Sequence, residues 1–136
     1  MKLNFLLALA VYFVFAAPAL AAADYSLFVN GAPVYSDVSP EVAGRNVLLP
    51  LRAVAEALGA EVFYDEIYQT VYINQYDLVV EIPIGKHTGL KSGHTILLAA
   101  PPKIINDRTF IDRETLKNAL GVKTIFNTHS NCIYVE

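Results

Sequence analysis

Tryptophan is absent from this 136-residue chain, and cysteine and methionine occur once each. A lone thiol, Cys132, excludes an internal disulfide, so the fold must be held by burial. Charge is sparse: 17% of residues are charged against 54% apolar. No basic run occurs, and the formal net charge is −3. That balance excludes the electrostatic footprint of a nucleic-acid binder. Also missing are a Ser-His-Asp order, a glycine-rich phosphate loop and a helix-borne carboxylate pair. No catalytic residue is therefore assigned, and the chain is expected not to be an enzyme. No Ser- or Gly-rich linker divides it, and its length suits one domain.

The chain opens MKLNFLLALAVYFVFAAPALAAADYS. Lys2 and the amino terminus make a positive end, Leu6 to Phe15 is an unbroken apolar run, and small residues follow up to Ala23. That order reads as a signal peptide over residues 1–23, cut after Ala21 or Ala23. The alternative is an uncleaved membrane anchor, the one contact with a membrane the sequence offers. Pro18 and the small-residue exit favour cleavage. Residues 24–136 are then a secreted or extracytoplasmic domain, at the cell surface or in the periplasm. Losing Lys2 leaves nine basic against thirteen acidic side chains, a net of −4.

What the chain does have is a repeat. Ala57-Leu58-Gly59 aligns with Ala119-Leu120-Gly121 at an offset of 62, without gaps from Val29 onward. Gly31 then meets Gly93, Pro40 meets Pro102, and Tyr72 meets Tyr134. A repeat whose apolar pattern outlasts its identities implies two half-cores that close on each other. Repeat 1 spans about 26–74 and repeat 2 about 77–136.

Each copy shares one local grammar. Asn30-Gly31 and Ser92-Gly93 fall between short extended runs, which is hairpin chemistry. Gly44-Arg45 and Asn106-Asp107 mark a second turn. A helix follows, with Pro50 as a first-turn signal in one copy and Asp112 as a cap in the other. Val54, Ala57 and Leu58 share a face, as do Leu116, Ala119 and Leu120. Gly59 and Gly121 stand where a left-handed C-terminal cap belongs. A strand pair closes each copy. Between the copies, Leu78 to Ile82 reads as a buried strand, with Gly85 beginning a turn. The expectation is an α+β fold: antiparallel β-sheets with two short helices, built from two tandem βαβ-type repeats in one compact unit. Gly31, Gly59, Gly93 and Gly121 are its structural glycines.

The stretches VLLPLRAVAEALGAEVFYD, IGKHTGL and APPKIINDRTFIDRETLKNALGV resemble the copper amine oxidase N-terminal-like, or stalk, domain family. Copy one carries the family pattern through Leu49-Pro50-Leu51-Arg52 and Ala57-Leu58-Gly59-Ala60. Copy two departs from it, with Ile111-Asp112-Arg113-Glu114 in place of the Pro-Leu-Arg signature and Asp107 in place of the turn glycine. The resemblance implies a non-catalytic appendage of mixed sheet and helix, of a kind carried by exported bacterial proteins. Its name does not imply copper here. The oxidases use a His-x-His pair, which this chain lacks. His87, His94 and His129 occupy loop and turn positions, where solvated histidines are the default. Asn74-Gln75-Tyr76-Asp77 breaks the oxidase's Asn-Tyr adjacency with Gln75. No metal and no cofactor is assigned. An oxidase also needs a large separate catalytic domain.

Cys132 alternates with Ile133 on the last strand and has no His or Lys beside it in sequence, so a packing role is expected. The tyrosines carry the functional colour. Tyr64, Tyr68, Tyr72 and Tyr76 recur every fourth residue across a strand-turn-strand, and even spacing puts Tyr72 and Tyr76 on one strand face. An exposed aromatic face suits sugar rings or a partner protein. The expected function is a non-catalytic scaffold or interaction domain, with an unknown protein as partner. The alternative is a cell-wall glycan module that uses the tyrosine face.

Overall fold

The structure, a computed structural model, describes residues 24–136; the expected signal peptide over 1–23 lies outside the described residues. Thirteen strands and two helices follow in order: β1 Ser26–Val29, β2 Ala32–Val34, β3 Glu41–Ala43, β4 Asn46–Pro50, α1 Leu51–Ala57, β5 Glu61–Asp65, β6 Thr70–Gln75, β7 Leu78–Pro83, β8 Thr88–Lys91, β9 His94–Leu97, β10 Lys103–Ile105, β11 Arg108–Asp112, α2 Arg113–Leu120, β12 Thr124–Asn127 and β13 Cys132–Val135. Among the described residues no helix is long and apolar enough to cross a membrane.

These strands form three sheets, ordered β12-β13-β1-β2, β10-β11-β4-β3 and β5-β6-β7-β8-β9. The fold is α+β and mostly antiparallel. It departs from the βαβ expectation. Each helix is entered from one antiparallel hairpin and leaves into another, and among the described residues the one parallel pairing joins β1 to β13. Two-residue turns explain this, because they reverse the chain locally and leave no crossover for a parallel neighbour. Asn30-Gly31 and Ser92-Gly93 both take left-handed backbone, with φ of 49° and 81° and of 48° and 79°. Asn106-Asp107 does the same without glycine, at 47° and 61°, which short polar side chains tolerate.

The helices are short and end differently. In α1 the residue Gly59 adopts φ of 85°. Its N–H donates to Glu56 O, and the Ala60 N–H reaches back to Ala55 O, both at 2.9 Å. This pair of bonds satisfies carbonyls that the helix end would otherwise orphan. In α2 the Asp112 carboxylate accepts from the Thr115 N–H at 3.2 Å, and Gly121 closes the helix with one bond to Lys117 O. The buried face of α1 differs from expectation: Leu51, Val54 and Ala55 are buried, whereas Ala57 is exposed. Leu51 decides the matter, since it starts an i, i+3, i+4, i+7 stripe that ends at Leu58 and leaves Ala57 outside.

Leu78 to Ile82 lies in β7, the central strand of the five-stranded sheet, but is buried on one face only. Val80 and Ile82 are fully buried, while Val79 is 45% exposed. The run reads as a buried strand, and here the antiparallel sheet covers one of its faces and leaves the other to water. One continuous core joins Leu27 and Val29 of β1, Leu49 of β4, Ile73 of β6, Leu116 of α2 and Ile133 of β13.

Candidate functional site

The five-stranded sheet buries one face and exposes the other. Across its exposed face runs one row of cross-strand neighbours: Phe63 opposite Tyr72, Tyr72 opposite Glu81, Glu81 opposite Leu90, and Leu90 opposite Thr95. Phe63 is 63% exposed, and its ring lies 6.3 Å from that of Tyr72, the two planes tilted by 38°. Tyr72 itself is half-buried. Partial burial, then the charges of Glu81 and Asp65, hold its hydroxyl above the ordinary tyrosine value.

The turn between β5 and β6 adds a second tyrosine. The Asp65 carboxylate accepts from the Ile67 N–H at 2.9 Å and the Tyr68 N–H at 3.1 Å, a side-chain-closed turn that Asp favours. Thr70 Oγ1 donates to Tyr68 O at 3.0 Å. So fixed, Tyr68 stands exposed beside a shallow cavity of about 370 Å³ lined also by Tyr72, Glu81, Lys86, Thr88 and Thr95.

The four tyrosines thus do not make one platform. Tyr68 and Tyr72 come together. Tyr64 pairs with buried Val71 and packs against the core on the opposite face. Tyr76 sits beyond the end of β6, in the turn to β7, at φ of 51° and fully exposed. The even-spacing argument fails there because the strand ends at Gln75, one residue short. Phe63 is the aromatic that counting tyrosines misses. Its signal was the period-two alternation of β5, which sets it on the face opposite Tyr64.

A matching row crosses the outer face of the first sheet: Ile125 opposite Tyr134, Tyr134 opposite Phe28, and Phe28 opposite Pro33. Phe28 and Tyr134 stack directly, with centroids 5.3 Å apart and planes within 20°. Cys132 lies two residues before Tyr134, half-buried, and its thiol donates to Ser130 O at 3.4 Å. Contact with this thiol raises the Tyr134 hydroxyl above its ordinary value.

A second, larger cleft of about 940 Å³ lies between α1, the segment after β2, and the β10–β11 turn, where Tyr64 lines one wall. Its two arginines are engaged within the chain. Arg108 forks onto Asp37 at 3.0 and 2.6 Å, and Arg52 donates to Val62 O at 2.9 Å and to Glu56 at 3.3 Å. Among the described residues no group of three or more His, Cys, Asp or Glu is gathered as a metal would need. His87 lies between β7 and β8, His94 begins β9, and His129 lies in the β12–β13 turn, where its N–H donates to the Asn127 side chain.

Among curated proteins, none matches this chain. The family model for the copper amine oxidase N-terminal domain matches residues 28–135, from within β1 to the end of β13. The chain belongs to the copper amine oxidase N-terminal domain family.

Proposed function

We propose that this chain is an exported, non-catalytic interaction domain that presents the outer face of its five-stranded sheet to a partner. One observation carries the reading: both helices pack against β11 and β4, and Phe63, Leu90 and Leu97 of the five-stranded sheet remain exposed to solvent. An apolar face left open in a monomer marks an interaction surface. The leader-like residues 1–23 support export. Among the described residues, the lack of a metal-ready group of three or more His, Cys, Asp or Glu supports a role without metal chemistry.

The architecture beneath the face is a tandem duplication. Its support is positional: β1 and β8, β4 and β11, α1 and α2, and β6 and β13 each begin 62 residues apart. In the first sheet β1 and β13 pair directly. In the five-stranded sheet their counterparts β8 and β6 flank β7, the strand that joins the copies.

The test is retention of the mature protein on cell-surface fractions of its source. Wild type should be retained, and Phe63→Ser with Tyr72→Ser should lose retention while keeping the far-UV spectrum. Equal retention of both proteins would move the function away from this face.

A further inference from the structure

Resting on that reading of the face, we infer that the exposed row of the five-stranded sheet is a saccharide site for an uncharged, gluco-configured oligosaccharide, centred on Tyr72 and Glu81. The two outer rows of the molecule make the argument by comparison. At the 62-residue offset Phe63 corresponds to Ile125, Tyr72 to Tyr134, and Leu90 to Phe28. Where β1 meets β13, Phe28 and Tyr134 stack on one another, so each ring gives one face to the other. Where β7 intervenes, Tyr72 and Leu90 are held apart and the Glu81 carboxylate stands between them. The same apolar row thus becomes a ring face beside a hydrogen-bond acceptor.

That combination matches one ligand chemistry. A gluco-configured ring carries equatorial hydroxyls at its rim and C–H groups on its faces. The faces suit an aromatic ring, and a carboxylate oxygen pair accepts from two neighbouring hydroxyls. Glu81 and Lys86 enter no ion pair among the described residues. Both line the cavity of about 370 Å³, together with Thr88 and Thr95. Charge narrows the class further. Asp65 and Glu81 act on Tyr72 from either side, against Lys86 alone, so acidic polysaccharides are repelled.

Isothermal titration of the mature chain with cello-oligosaccharides and with N-acetylglucosamine oligomers tests this. At least one series should bind saturably. Tyr72→Ala should abolish the binding, and Glu81→Gln, which keeps shape, should weaken it by about tenfold, as loss of a charge-assisted hydrogen bond does. Tyr134→Ala should leave affinity within about twofold. Saturable binding that Tyr134→Ala removes and Tyr72→Ala does not would overturn the assignment, as would no binding by either series. If no sugar binds but Tyr72→Ala still releases the protein from cell-surface fractions, the saccharide inference falls and the interaction face stands, with a protein as partner.

Discussion

A Cβ on Gly89 would lie 2.5 Å from the carbonyl oxygen of Glu81, closer than real Cβ atoms come to atoms that are not their chain neighbours. Strand β8 therefore presses on β7 at the point that holds Glu81 in the exposed row. Unlike the turn glycines, Gly89 does not have a left-handed backbone; its requirement is space. At the repeat offset it stands opposite Leu27, a buried core residue on β1. Leucine fits where β1 pairs directly with β13, and glycine is needed where β7 fills the gap. Gly89→Ala should lower the urea midpoint by about 1–3 kcal/mol equivalent, the cost of forcing an extra carbon into a packed site. An unchanged midpoint would mean the strands separate freely there.

Nothing local in the sequence marks Gly89. It sits in a Thr-Gly-Leu run that reads as one more strand with a turn glycine nearby, and its constraint comes from a strand eight residues earlier. The Asn-Gly and Ser-Gly hairpins, the Asp112 cap and both helix ends were legible, because each is set by residues within one turn of chain. The α1 face was misassigned by one stripe, and the tyrosine face by where β6 ends. Both depend on which tertiary surface the element meets. The Phe63–Tyr72–Glu81–Leu90 row was illegible, since it needs the register of four strands at once.

Gly59 offers a separate test of backbone strain. A Cβ there meets nothing within 4 Å, yet φ is 85°. Gly59→Val should cost about 1–2 kcal/mol from the left-handed conformation alone. Gly59→Asn should cost less, since asparagine visits that region more readily. Cys132→Ser, at a half-buried strand position, should fall well below both in a denaturation series. Equal midpoints for Gly59→Val and Cys132→Ser would refute the cap.

The Asp37–Arg108 pair predicts an acid-side signature. Its partners are 71 residues apart and tie the segment after β2 to the β10–β11 hairpin. The hydrogen bond from Arg108 holds the Asp37 carboxyl below its ordinary value. A lowered folded-state pKa means the contribution is fully present above the unfolded carboxyl pKa and is lost as pH falls through the folded one. Asp37→Asn should therefore be less stable than wild type near neutrality. The gap should close as pH drops below the carboxyl range. Both residues are about half exposed, so the effect should shrink in high salt. A gap that persists unchanged at low pH would show that the pair contributes through packing and not charge.

Cooperativity is the consequence of a core that no cut respects. Val47 and Leu49 of β4 are buried beside Phe110 and Ile111 of β11, and these strands pair directly across the two halves of the chain. β1 and β13, the first and last strands, pair in parallel and bury Leu27, Val29, Ile133 and Val135 together. Opening either half would expose apolar surface belonging to the other, and a half-length chain buries too little to compensate. Residues 24–136 should thus unfold in one transition, with tyrosine fluorescence and far-UV circular dichroism giving the same midpoint. Leu49→Ala on β4 and Ile133→Ala on β13 should each shift that single midpoint, by about 2–5 kcal/mol as large-to-small core changes do. A variant that unfolds in two separated steps, one for each half, would show that the shared strands only dock two independent folds.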